Sequence, residues 1–391
     1  MFYIQDPSLL EFQRRFQDSI QRNNLSTVFG GKDIPDDSQL REIIDEHSYE
    51  PLYGVFEEYF KRLQRGKQLE GYRFLKEYYL ISIDGTEYFG SEKIGCMKCL
   101  RKKSKYGEVR YSHQILQSTV VAPGKRQVIP LGPEFISNKS MGGVQDCELE
   151  AGKRLIPKLR SAHRQLSMVI VGDSLYSKQP FIKVLKEQRM HFILGAKPKD
   201  HKSLMEDIEG LRRGGYLSRL EYTDKKKKRY VCEWVNDIPL NGYLGGEVVN
   251  YIEFQIYNAT EGKRTYHNSW VTDLEVNEGN VRDLVKGGRA RWKIENEGFN
   301  TLKNHGYHLE HNFGHGTKNL SEAFFMLNLL SFFVHQILEL TDLLYQSCRA
   351  GFSARKEFWN VIRASFRLLL FDSWEQVLIR MNSPPLPAFQ G

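Results

Sequence analysis

Met168-Val-Ile-Val-Gly-Asp173, continued by Ser174 to Gln188 and closed by His191-Phe-Ile-Leu-Gly-Ala196, decides the fold class. The first and last runs are apolar stretches of strand length, and the segment between them reads as a helix. Strand, helix and strand over this span form a βαβ unit, which requires a parallel pair. A chain built on such a unit is α/β. The aspartate ending its first strand sits where open sheets gather their ligands.

The flanking sequence extends this unit in both directions. Tyr78-Tyr-Leu-Ile-Ser-Ile83 is another buried strand, read as ending at Asp84-Gly85-Thr86. Strands are expected around Lys93–Cys99 and Arg110–Val121, joined by a basic turn from Arg101, with a further apolar run from Gln127 into Pro133–Ile136. A helix is expected from about Asp146 to Arg164. Residues 1–75 read as polar helices, the first capped by Ser8 and the second by Asp37 or Ser38. They are short of apolar area for an independent domain. Residues 200–275 are glycine-rich, with strand-like runs at Tyr230–Val235, Val248–Tyr257 and Ser269–Asp273, and read as a β-rich insertion. The resulting division is a helical region (1–75), a first core segment (76–199), the insertion (200–275), a segment completing the core (276–317) and a helical carboxyl-terminal region (318–391).

The segment completing the core holds Arg289-Ala-Arg-Trp-Lys-Ile-Glu-Asn-Glu-Gly-Phe-Asn-Thr-Leu-Lys303, read as one amphipathic helix. Arg291 and Glu295 share a face at i,i+4 spacing. Alone, this is a solvated helix with ordinary ion pairs. Beside Asp84 and Asp173, Glu295 supplies a third carboxylate, and such a set suits two hard cations, Mg²⁺ or Mn²⁺. Paired metals activate an attacking oxygen and stabilise a leaving one in phosphodiester displacement. Acids this crowded need a metal, a proton or cations nearby.

Composition bounds the partners. The 391 residues carry a net charge of +8, a moderate pull toward polyanions such as DNA. Five cysteines, an odd number, argue against a disulfide framework and for a reducing cytoplasm. No run reaches the ~18–20 uninterrupted apolar residues of a membrane span. The amino terminus lacks a secretory signal pattern, so an intracellular protein without a membrane partner is expected.

Ile83-Asp84-Gly85-Thr86, Val171-Gly172-Asp173-Ser174-Leu175-Tyr176 and Arg291-Trp292-Lys293-Ile294-Glu295 resemble the three acidic motifs of DDE transposases of bacterial insertion sequences. The group resembled has a Tyr…Arg…Glu…Lys motif and a β-rich insertion before its last catalytic helix. The resemblance covers about residues 78–310. It implies a ribonuclease H-like mixed-sheet core with a β-rich insertion and flanking helical regions. It implies metal-dependent cleavage and strand transfer at double-stranded DNA ends, on terminal inverted repeats and target DNA, by a dimer or larger homo-oligomer in the bacterial cytoplasm. Asp84, Asp173 and Glu295 are then the catalytic metal ligands, with Glu297 in reserve. Arg291 and Lys303 match the motif's phosphate-facing cations, and Arg289 and Lys293 join them as expected DNA contacts. Two positions depart from the motif. Gly288 stands where the tyrosine belongs, and Lys303 lies one residue further from Glu295 than the motif gives. The family carries a longer amino-terminal DNA-end-binding region, so residues 1–75 read as a truncated form of it. The other readings are a ribonuclease H-like nuclease without strand transfer and a catalytically dead DNA-binding remnant.

Outside these motifs, Cys96-Met-Lys-Cys99 is a CxxC pair, with His113 and Cys147 as the expected completion of a tetrahedral zinc site. His305, His308, His311 and His315 match no standard zinc spacing. They are expected to touch phosphate or to pack. The basic runs Arg101–Lys105 and Lys225–Arg229 are solvated turns or contacts to a DNA backbone.

Overall fold

The computed structural model describes residues 1–138, 144–241, 246–258 and 262–382. In chain order, helices α1 (Leu9–Arg15), α2 (Ser19–Phe29), α3 (Asp37–Glu46) and α4 (Pro51–Arg65) precede strands β1 (Tyr78–Ser91), β2 (Leu100–Lys103), β3 (Val109–Val121) and β4 (Glu134–Ile136). Next come α5 (Glu148–Ala162), β5 (Met168–Gly172), α6 (Gln179–Glu187), β6 (His191–Gly195) and α7 (Lys202–Arg213). Strands β7 (Ser218–Thr223), β8 (Lys228–Pro239), β9 (Val248–Asn258) and β10 (Arg264–Thr272) lead to α8 (Val281–Arg289) and α9 (Asn300–Asn304). The chain continues through α10 (Leu320–Thr341), α11 (Leu343–Ala350), α12 (Arg355–Leu368) and α13 (Trp374–Asn382). These elements form two units, one of residues 69–86 and 114–296, the other of residues 1–68, 87–113 and 297–391.

The first unit is built on a sheet in the order β3-β1-β5-β6-β10-β9-β8-β7. Strand β5 pairs in parallel with both β1 and β6, giving the expected βαβ unit through α6. Every residue of β5 is buried, as its unbroken apolar run requires when both faces are covered. Strand β10 pairs antiparallel with β6, and β9, β8 and β7 follow as antiparallel neighbours. The inserted strands therefore continue the same sheet.

Several local expectations are corrected. Strand β1 does not stop at Asp84-Gly85-Thr86 but runs on to Ser91, while its parallel neighbour β5 ends at Gly172. Asp84 thus lies mid-strand, at the point where one flank of β1 loses its partner. Helix α6 starts only at Gln179, because the Asp173 carboxylate accepts from the Leu175 backbone N–H at 2.8 Å and holds a turn first. Residues 93–99 form a loop, and the strand begins at Leu100. The glycine-rich region opens with a helix, α7, which buries Leu204 and Ile208 one turn apart. Asp36, not Asp37 or Ser38, caps α3 through the Gln39 N–H at 2.8 Å, whereas Ser8 caps α1 as read.

In the second unit, α1–α4 fold together with the carboxyl-terminal helices, which supply the apolar surface they lack alone. Asn24 on α2 donates to the Phe366 and Leu369 carbonyls at 3.1 and 2.7 Å and accepts from the Phe371 N–H at 2.8 Å. The long helix α10 packs against α3, α4 and α11. By length and mean hydropathy (1.6) it would suit a membrane span, yet it buries Glu322, Asn328, His335 and Gln336 within the unit. The Asp45 carboxylate starts α10 by accepting from the backbone N–H groups of Thr317, Lys318, Asn319 and Leu320 at 2.9–3.0 Å.

Candidate active site

Two carboxylates follow from the register of the parallel strands. Ser82 on β1 lies across from Val171 on β5. Asp84 stands two residues beyond Ser82 on β1, and Asp173 is the first residue after β5 ends at Gly172. Both carboxylates act on the Arg291 guanidinium and on the Tyr176 phenol, which sets them in one neighbourhood.

Arg291 ties the third carboxylate to them. Its guanidinium donates to Asp84 Oδ2 at 3.2 Å and to Glu295 Oε1 at 2.6 Å. Its carbonyl accepts from the Ser82 hydroxyl at 3.2 Å, which pins the turn to β1. Burial opposes the charge on Arg291, but Glu295, Asp84 and Asp173 outweigh it and hold the group cationic. Glu295 is therefore the acid joined to Asp84 through Arg291. Glu297 belongs to the second unit.

A fourth carboxylate was not singled out from the sequence. Glu148, in the first turn of α5, accepts from the Tyr176 hydroxyl at 2.5 Å. It lies so close to Gly85 that a Cβ there would meet its carboxylate. Burial, then Glu148, Asp84 and Asp173, keep the Tyr176 phenol protonated as a donor. The crowding registers on Asp84: burial pushes its carboxyl up to about 7, against the pull of Arg291 and with Glu295 and Glu148 adding to the rise. The only sequence signal for Glu148 was an acid in the first turn of an expected helix, a common helix-start feature.

The segment 289–303 is not one helix. Helix α8 ends at Arg289, a turn at Ala290–Arg291 breaks it, and the helix that resumes at Trp292 passes through a π-helical stretch at Ile294–Phe299 into α9. Stretches of this π-helical kind occur frequently at functional sites. Helix α8 approaches the sheet through a glycine pair. A Cβ on Gly287 would sit 2.8 Å from Phe74, and one on Gly288 only 2.6 Å from the Trp270 indole. Trp270 fills the place that a side chain at position 288 would enter.

The expected DNA-contacting cations have separate fates. Arg289 lies over the rings of Tyr266 and Phe254, 4.8 and 5.6 Å from their centroids. Lys293 is corrected from a phosphate contact to a buried strut whose ammonium donates to the Lys125 carbonyl. Trp292 is exposed. In the second unit Lys303 pairs with Glu310 at 2.8 Å. There too, Cys96, Cys99 and His113 come together, with His315 as the fourth member; Cys147 is exposed just before α5.

Residues 148–333 match the profile of the family described as Transposase DDE domain. The matched segment includes Asp173 and Glu295 and begins beyond Asp84. No curated protein matches the chain. Among solved structures, a piggyBac transposase synaptic complex with hairpin DNA is similar at 12% identity and a TM-score of 0.36, covering 90% of this chain. The chain spans 63% of the length of that structure's chain. The family match thus covers the parallel strands β5 and β6, the inserted strands and the segment holding Glu295, within a mixed α/β sheet structure.

Proposed function

We propose that this protein is a DNA transposase that cuts phosphodiester bonds at the ends of a mobile element and joins the freed 3′-hydroxyl to target DNA. The observation that carries this reading is the meeting of Asp84 and Glu295 on the Arg291 guanidinium, with Asp173 near enough to act on the same charge. DDE transposases generally use divalent metal ions, and the donor set fits them. All its ligand atoms are oxygen, as Mg²⁺ and Mn²⁺ prefer. It holds more acid than Arg291 balances, and Asp84 is driven toward its protonated form when no further cation is near.

Asp84, Asp173 and Glu295 would hold the metals. Two such ions supply activation of the attacking oxygen and stabilisation of the leaving one. Arg291 bridges acids on its protein side and turns to the phosphate when cations take its place. Tyr176 holds Glu148 in position through its hydroxyl. In the first step a water oxygen attacks phosphorus and a 3′-hydroxyl leaves. In the second, that hydroxyl attacks a target phosphodiester and displaces a new 3′-oxygen. The partners are double-stranded terminal repeats and target DNA. Two ends must be held together, so a dimer or larger assembly on DNA is the working form, in a bacterial cytoplasm.

The test compares cleavage and joining of terminal-repeat DNA by the wild type and Asp173→Ala, with Mg²⁺ or Mn²⁺. Loss of both reactions in the variant supports the proposal. Hydrolysis without joining by the wild type would make the protein a nuclease. DNA binding with neither reaction, unaltered by the substitution, would make it a remnant.

A further inference from the structure

The second unit contains a cluster with no place in phosphodiester chemistry. Cys96 and Cys99 lie in the loop before β2, His113 is on β3, and His315 comes 216 residues after Cys99. The ligand atoms of all four lie within 4.8 Å of one another. The two sulfurs are 3.8 Å apart. Nε2 of His113 is 3.6 Å from Cys96 Sγ and 3.5 Å from Cys99 Sγ, and Nε2 of His315 is 3.7 Å from Cys99 Sγ.

These separations are the edges of a coordination tetrahedron. With Zn–S of ~2.3 Å and Zn–N of ~2.0–2.1 Å, tetrahedral angles put sulfurs ~3.8 Å apart and sulfur ~3.6 Å from nitrogen. A disulfide is a different object, since its sulfurs stand ~2.05 Å apart. The backbone shapes the pair: the Cys96 N–H donates to Cys99 Sγ at 3.4 Å, and the Cys99 N–H closes the turn onto the Cys96 carbonyl at 3.3 Å.

The surroundings fix all four side chains. Cys99 and His113 are fully buried. Phe89 lies against His315, with ring centroids 4.5 Å apart, and Tyr88 stacks on His113 at 5.7 Å. His315 is followed by Gly316 at φ +63°, a left-handed turn in which a side chain would collide with Asp45. That same Asp45 anchors the next four backbone N–H groups, so His315 is held at a defined point just before α10. Between the cysteines, Lys98 points away to pair with the buried Glu322 at 2.8 Å.

We propose that Cys96, Cys99, His113 and His315 bind a structural zinc ion. Four protein ligands leave no open position, so the ion holds structure and does no catalysis. It clips the loop before β2 and the start of β3 to the loop before α10, a closure across more than half of the chain. The site is built from other residues than the carboxylates and does not depend on the transposase reading.

The experiment measures zinc in the purified full-length chain by mass spectrometry and replaces it with Co²⁺. A single zinc per chain is expected, retained in Cys147→Ser and lost in Cys99→Ser and in His315→Ala. The cobalt form of the wild type should show the intense visible bands of tetrahedral coordination and thiolate charge transfer. That spectrum is read on the wild type and stands even if the variants fail to fold. A wild type that takes up no zinc, zinc retained in His315→Ala, or weak octahedral cobalt bands alone would each overturn the assignment.

Discussion

Replacing Arg291 by glutamine should tighten divalent-metal binding while abolishing strand cleavage. In the structure, the guanidinium already stands among the acids as their counter-ion, 3.2 Å from Asp84 and 2.6 Å from Glu295. A metal entering the same group of carboxylates meets that positive charge. Two unit charges ~4 Å apart interact by about 1 kcal/mol in bulk water and about 4 kcal/mol at an effective dielectric constant near 20. The Arg291 side chain is 25% exposed and that of Glu295 49%, which places the repulsion toward the weaker end. Relief of about 1–2 kcal/mol corresponds to roughly a 5- to 30-fold lower Kd. Glutamine keeps most of the side-chain volume and a hydrogen-bond donor. The assay is calorimetric titration of Mn²⁺ into DNA-free protein at low salt, beside a cleavage assay on the same preparation. Unchanged or weaker Mn²⁺ binding in the variant would refute the view that Arg291 and the metals share these acids.

Other substitutions test neighbouring parts of the structure. Gly288→Tyr, which restores the motif residue, should destabilise the protein, since even its Cβ would sit 2.6 Å from Trp270. Overpacking costs about 1–3 kcal/mol or more, read as a lower thermal midpoint, and a variant as stable as the wild type would show that the indole yields. Glu148→Gln should weaken Mn²⁺ binding several-fold by removing one charge beside Asp84, and equal affinity would place Glu148 outside the metal's field. Burial, with Arg355 adding to it, pushes His335 down to about 3. Because the folded value lies below the ordinary ~6.5, the unfolded chain takes up the proton first as pH falls. The stabilising contribution is full above ~6.5 and is lost as pH drops from there toward 3, by up to ~1.4 kcal/mol per pH unit. Urea midpoints at neutral pH and at mildly acidic pH should differ less in His335→Gln than in the wild type; an identical difference would exclude His335 as the source.

What the sequence made legible was whatever one element writes along its own length. The run Met168–Val171 is buried on both faces, so its apolar residues are contiguous and the strand is plain. The position of Asp173 is legible because it directly follows such a strand. Contacts that join distant segments were not. Glu148 reaches Gly85 and Tyr176 across long stretches of chain, and nothing local distinguishes it from an ordinary helix-start acid. His315 joins a cysteine pair more than two hundred residues earlier, whereas Cys147 was the nearer candidate by count. Lys293 reads along the sequence as a phosphate-facing cation, whereas its ammonium lies inside, on the Lys125 carbonyl. Trp270 explains Gly288 only once β10 and α8 are side by side.

The π-turn at Ile294–Phe299 bears on how the motif is counted. Lys303 falls one residue beyond its customary distance from Glu295. In an α-helix a single inserted residue rotates everything after it by about 100°. A π-turn takes up such a residue locally, because its hydrogen bonds span one position more than those of the α-helix. The surplus residue and the wide turn occupy the same stretch. Spacing between this glutamate and this lysine is therefore a matter of turns before it is one of residues. A motif search that permits a one-residue gap here would find chains that strict counting discards.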